Sequence, residues 1–261
     1  MKLCCCTEWK NYDVLVASGY DAITLGGVDI VKWSDDELQA AVKKLREGPL
    51  EHYSINRFCE GSLRLHGVRM DLDKIAAYTQ KLCERAAMLG FRYIGIGAPA
   101  SRNLEEGEQA ETAMREFAQA LELICRIAQN YNIEILLEAV CSLECNFLTT
   151  TQEVARLVAQ LQIQNLHLVY DIFHERMEQQ SLSVLRQYAE EIRTVHIAQL
   201  QDGGRGYLQM QNLLEYTAYW AVLTACGYKG DFSIEAFLGD PVAGIQESAR
   251  VLQQLRSSCP K

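Results

Sequence analysis

Four residues pair a chemistry-bearing side chain with a shared local setting. Glu138 ends the run Ile135-Leu136-Leu137-Glu138, Asp171 ends Leu168-Val169-Tyr170-Asp171, His196 lies in Thr194-Val195-His196-Ile197, and Glu235 ends Phe232-Ser233-Ile234-Glu235. Short apolar runs of this kind form buried strands. An ionised carboxylate at the end of such a strand is costly unless it is hydrogen-bonded, paired or bound to a cation. Three acids gathered at one place therefore ask for positive charge, and a divalent metal would supply it. Taken singly, each acid has a plainer explanation, since it can cap the following helix or pair with a nearby arginine. A lone histidine, likewise, is more often a hydrogen-bonded core residue than a ligand. Only the place of His196 between two acidic strand ends turns it toward metal binding.

A closed sheet would bring these strand ends together. Strands are expected near Lys2–Cys5, Ala22–Leu25, His52–Asn56, Tyr93–Gly97, Ile133–Ala139, Leu166–Tyr170, Thr194–Ala198 and Phe232–Ala236, alternating with amphipathic segments. Alternation of this kind argues for βα units and a parallel sheet, and eight units fit an α/β protein of the (β/α)8 TIM barrel type, one domain over residues 1–261. Helix starts are legible at Ser34-Asp35-Asp36-Glu37, a capping-box pattern, and at Asp71 or Asp73, with Gly90 as a stop. From Glu108 to Asn130 the period is helical, and Ala113, Phe117, Ala120, Leu121, Ile124 and Ile127 form one apolar stripe for the core. The stretches 57–70, 98–107, 140–147, 173–180 and 199–206 read as irregular. All follow strands, which in a barrel places them around the C-terminal mouth where active sites sit. No linker, low-complexity tract or internal repeat divides the chain.

Over nearly its whole length the chain resembles a known family. The segments that carry the resemblance are Leu137-Glu138-Ala139-Val140, Glu144-Cys145-Asn146-Phe147, Asp171-Ile172-Phe173-His174, Val195-His196-Ile197-Ala198 and Ile234-Glu235. In order and separation they are similar to those of the xylose isomerase-like barrels of sugar isomerases and epimerases, nearest to ketose 3-epimerases and hydroxypyruvate isomerases. The Asp-x-x-His element is the most specific. The resemblance implies that Glu138, Asp171, His196 and Glu235 are metal ligands, that His174 and Arg205 contact the oxygens of a small carbohydrate substrate, and that Glu144 helps to position it. Asn56 and Arg102 match loop positions often seen in related sequences. Two departures bear on substrate choice and affinity. Ala139 and Cys141 stand near places where the family frequently has Pro and Asn, and Gln199 stands where many relatives have the acid of His-x-x-Asp.

Three carboxylates and one neutral imidazole around a divalent ion would leave a net charge of about −1, so the carboxylates can still act as bases. The ion would polarise a carbonyl and a hydroxyl of the sugar and so acidify the adjacent C–H, favouring an enediolate. In an epimerase, Glu138 and Glu235 would serve as the catalytic pair on opposite faces. In an aldose–ketose isomerase a single base could return the proton on the same face. An oxygen-rich ligand set favours Mn2+ or Mg2+, tolerates Co2+ and does not exclude Zn2+.

Composition limits the other classes. With 34 acidic against 25 basic residues the net charge is −9, which opposes binding to a nucleic-acid backbone. An apurinic endonuclease on the same barrel would need several metals and more than the five histidines present. No run approaches the roughly eighteen apolar residues of a membrane span, and the N-terminal segment lacks a signal-peptide pattern, so the cytoplasm is the default address. Ten scattered cysteines give no disulfide framework and read as reduced thiols. Within Cys4-Cys5-Cys6, adjacent strand side chains point to opposite faces, so the three thiols cannot form one site. Gly95-Ile96-Gly97-Ala98-Pro99-Ala100 loosely matches a dinucleotide fingerprint, but a barrel loop explains the glycines better. An inosose dehydratase-like lyase and a sugar-binding barrel without turnover remain open, and a homo-oligomer is compatible with the sequence.

Overall fold

The apolar runs form strands, and in a computed structural model that describes residues 1–258, apart from the side chain of His52, eight of them close into a parallel barrel. The chain lays down β1 (Lys2–Cys6), β2 (Ala22–Gly26), β3 (Glu51–Asn56), β4 (Tyr93–Ile96), β5 (Glu134–Glu138), β6 (Leu166–Asp171) and β7 (Ile192–Ile197). A small antiparallel hairpin follows, β8 (Gln199–Gln201) and β9 (Gly204–Gly206), and β10 (Asp231–Ile234) then closes the barrel between β7 and β1.

Strand alternation sets the two faces of the barrel wall. Ile94 and Ile96 of β4, Ile135 and Leu137 of β5, Leu168 and Tyr170 of β6, Val195 and Ile197 of β7, and Phe232 and Ile234 of β10 belong to the apolar layer shared with the helices. The residues between them face the axis. There Leu136 and Val169 share the space with small polar groups, Cys4 Sγ lying 3.3 Å from Thr24 Oγ1 and Thr24 Oγ1 2.7 Å from Ser54 Oγ.

Outside the barrel the helices start and stop where their chemistry demands. Ser34 and Glu37 make a reciprocal capping box at the head of the helix Asp35–Glu47. Asp71 accepts from the Asp73 and Lys74 N–H groups at the head of Leu72–Leu89, and Gly90 ends that helix at φ 84°. The helix Ala110–Gln129 buries the expected stripe except Ile127, which is half-buried, while Cys125 and Ala128 complete the apolar face. Among the described residues no helix is long and apolar enough to cross a membrane, and all nine cysteines are free thiols.

Three stretches that read as irregular contain ordered elements, one of them the short helix Pro99–Arg102. Residues 172–177 form a short helix beginning directly after Asp171. Residues 199–206 form the hairpin, whose turn residues Asp202 and Gly203 take φ 48° and 76°, the two positive values that a type I′ turn requires.

At the N-terminal end of the barrel, Asp231 is fully buried, and neither of its carboxylate oxygens has a hydrogen-bond partner among the protein's own atoms. Burial pushes this carboxyl up to about 7. Folding therefore favours the protonated form. That stability is fully present below the unfolded value of about 4 and declines as the pH rises through the folded value. Asp231→Asn, which cannot ionise, is expected to be more stable than the parent at pH 8 by about 4 kcal/mol and nearly equal to it at pH 4. Urea unfolding at the two pH values checks this, and equal midpoints at pH 8 would contradict it.

Candidate metal centre and active site

Glu138 and Asp171 end β5 and β6, His196 is the penultimate residue of β7, and Glu235 directly follows β10. Register levels them: Asp171 lies opposite His196, His196 lies opposite Ser233, and the Glu235 N–H extends the ladder by donating to Ile197 O at 2.9 Å. All four share the axis-facing parity of their strands, so they converge at the C-terminal mouth. None is more than 7% exposed. One donor atom from each lies within 4.8 Å of the others.

Carboxylates have two oxygens, and here the pairs are divided. Asp171 Oδ1 accepts from the Phe173 and His174 N–H groups at 2.7 and 3.2 Å, capping the helix that follows. Glu235 Oε1 accepts from Asn56 Nδ2 at 2.8 Å, and Glu138 Oε2 turns toward Gly97. The remaining oxygens point at one another and at His196. From His196 Nδ1 the distances are 3.0 Å to Glu138 Oε1, 3.4 Å to Glu235 Oε2 and 3.9 Å to Asp171 Oδ2. Ligands about 2.1 Å from an ion lie about 3.0 Å apart in an octahedron and about 3.4 Å apart in a tetrahedron. The donor types and their spacing both fit a divalent ion.

A guanidinium also reaches the cluster. Arg205, carried by the β8–β9 hairpin, donates from Nη1 to Asp171 Oδ2 at 2.8 Å, lies 3.1 Å from Glu235 Oε2, and stacks on the Phe173 ring at 4.5 Å. Its carbonyl accepts from the Phe237 and Leu238 N–H groups, which stitches the hairpin to the segment after β10. Both plain explanations for a buried acid thus operate at Asp171, which caps a helix and pairs with an arginine.

The other expected contact residues divide. Asn56 is inside the cluster through Glu235. His174 joins it through Arg205, with Nε2 2.6 Å from Nη2, while the Cys141 N–H faces Nδ1 at 3.2 Å. Both neighbours are donors and a neutral imidazole has one in-plane lone pair, so the ring accepts from one of them at a time. Glu144 is exposed on the cavity wall, within 4.8 Å of the donor atoms of His174 and Cys141. Arg102 is not among the residues lining the cavity. It is fully buried at the end of the short helix Pro99–Arg102, where Nη2 lies 3.4 Å from Leu148 O and its charge acts on Cys145, Glu138 and His174. The chain turns at Ala98, which adopts φ 43°, and this directs the arginine inward.

Electrostatics separate the acids. Burial, countered in part by His196, pushes Glu138 up to about 7. Burial opposes the charge of Glu235 too, but His196 and Arg205 outweigh it and hold that carboxyl well below its ordinary value. Asp171 is likewise lowered, as Arg205 overcomes the burial. His196 is raised well above its usual value, because Glu235, Cys6 and Glu138 outweigh the burial of its charge. Burial lowers His174 to about 4, so its ring is neutral at pH 7. Above these groups opens a cavity of about 370 Å3, lined by Glu138, Glu144, His174, Arg205 and Glu235 and rimmed by the 60%-exposed Phe237.

Several contributors went unread in the sequence. Phe237 follows Glu235 by two residues, and the Asp202-Gly203 pair was a hairpin signal for the segment that carries Arg205. Gln199, in the place of the family's acid, is buried and accepts from the Tyr216 hydroxyl. Gly97 belongs to no dinucleotide loop. A Cβ there would lie 2.6 Å from Glu138 Oε2. Gly97→Ala is therefore expected to displace the Glu138 carboxylate from His196 Nδ1 while the thermal midpoint stays close to the parent's. A crystal structure of the variant with Glu138 still in place would refute this.

The model of the xylose isomerase-like TIM barrel family matches residues 12–255. An L-ribulose 3-epimerase of Mesorhizobium japonicum is 30% identical over 124 residues, 47% of this chain but only 40% of that protein's own length. Among solved structures, an L-ribulose 3-epimerase superposes with a TM-score of 0.83 at 18% identity, covering 98% of this chain and 95% of the other. The IolI protein, solved with a zinc atom, gives 0.80 at 19% identity with 99% of each chain covered. Since the match runs from the first helix into the last, the chain belongs to the xylose isomerase-like TIM barrel family.

Proposed function

We propose that this protein is a divalent-metal-dependent sugar epimerase or isomerase that moves a proton on a carbon beside a carbonyl. One observation carries the reading: two buried glutamates, from strands separated around the barrel by β6 and β7, face a shared histidine at the base of a cavity. The ketose 3-epimerases among its structural relatives support the substrate class. Glu138, Asp171, His196 and Glu235 would hold the ion, which when bound supplies Lewis-acid polarisation of the sugar's oxygens.

The chain's own residues do the rest. Glu138 and Glu235 reach the substrate from two sides, so one removes the proton and the other returns it from the opposite face, inverting the carbon. Arg205, whose charge is fixed, would stabilise negative charge on a substrate oxygen, and the neutral His174 would hydrogen-bond a hydroxyl. Phe237 and the loop walls would limit access of water.

A second reading rests on Arg205. Because its guanidinium already answers Asp171 and Glu235, the barrel could hold a sugar without turnover. Metal titration and turnover separate the two. With Mn2+ present, incubation of purified protein with ketoses in D2O should place carbon-bound deuterium in the sugar, and the labelled position reports where the proton moved. Product analysis by the same NMR distinguishes epimerisation from a dehydrating lyase. Glu138→Gln and Glu235→Gln should each lower kcat by at least about 100-fold and leave the far-UV circular dichroism unchanged. Full activity in either variant removes the two-glutamate mechanism.

A further inference from the structure

We propose that Cys6 is a positioning residue for His196, its sulfur accepting the ring hydrogen that coordination through Nδ1 leaves on Nε2. This rests on the reading of His196 as a metal ligand.

The argument begins with the alternation of β1. Cys5 packs outward in the main apolar layer, whereas Cys4 and Cys6 point along the axis side. Two residues apart, the inward thiols meet different partners. Cys4 Sγ lies against Thr24 Oγ1, deep in the barrel. Cys6 Sγ lies one layer higher, 3.8 Å from His196 Nε2 and 3.4 Å from Ser233 Oγ, and Ser233 is itself level with His196 on the neighbouring strand.

His196 presents Nδ1 to Glu138, Asp171 and Glu235, so Nδ1 is the nitrogen that would meet an ion, and it must offer a lone pair. A neutral imidazole then carries its one hydrogen on Nε2. A metal-bound histidine nearly always passes that hydrogen to a carboxylate, a backbone carbonyl or water, which fixes the angle of the ring. Here a sulfur lies at that nitrogen, and His196 is only 2% exposed. The thiol can do this while neutral: its S–H donates to Ser233 Oγ and its lone pairs accept from Nε2–H. A relay His196–Cys6–Ser233 thus runs from the rim to β10.

The test compares Mn2+ affinity by calorimetry in four variants of the full chain, with activity at subsaturating Mn2+ as a second readout. Cys6→Ala removes the acceptor and is expected to weaken binding at least about tenfold. Cys6→Val, which keeps side-chain bulk near the ring but offers no acceptor, should match it, and Cys6→Ser, which restores an acceptor, should recover most of the loss. Cys4→Ala, on the same face of the same strand but away from His196, should bind as the parent does. If Cys6→Val binds as tightly as a parent that takes up Mn2+, or Cys6→Ser is as weak as Cys6→Ala, the positioning role is wrong and the metal reading stands. A parent that binds no divalent ion would overturn both.

Discussion

Three carboxylates buried at one rim cannot coexist without compensating charge, and much of the local structure answers that constraint. Glu138, Asp171 and Glu235 meet His196 on one side and Arg205 on another. Their outward oxygens are engaged separately, by helix N–H groups at Asp171 and by Asn56 at Glu235. The repulsion among the acids is thereby divided. One oxygen of each is drawn away, and the other is left to share a cation.

Rigid and adjustable parts divide along the same line. The acids and His196 stand on or directly after strands whose alternate residues are locked into the apolar layer, so their directions are fixed by the barrel itself. Arg205 and Phe237 come from segments beyond the strands, tied to each other through backbone hydrogen bonds. The converging acids are carried by the wall, and the cavity-lining Arg205 and Phe237 by the rim, a division common to barrels of this type.

The strands were legible because buried parallel strands are short apolar runs, and a polar residue at the end of such a run stands out. Glu138, Asp171, His196 and Glu235 could thus be placed at one mouth from sequence, and Asp171-Ile172-Phe173-His174 was informative because an acid at a strand end also caps the next helix. What failed to read were side-chain directions after a turn. Asn56 ends its strand and keeps the direction the wall sets, whereas Arg102 lies beyond a turn at positive φ, at the end of a short helix, and is buried. Gly97 read only as a barrel-loop glycine because its reason lies on another strand, in the oxygen of Glu138. The place of Cys6 was not legible because only closure of the barrel, with β1 beside β10 and β10 beside β7, brings its thiol to Ser233 and His196.

The salt bridges of Arg205 bear on which ions the mouth could accept. A guanidinium cannot shed its proton, so in the folded chain Asp171 and Glu235 keep an internal counter-ion. Any ion entering between Asp171 and Glu235 meets a tethered rival of charge +1. Sodium or potassium brings no more charge than the group it would have to dislodge, whereas a doubly charged ion does. A cation proposed for this mouth would therefore have to bring more charge than the guanidinium the hairpin already holds there.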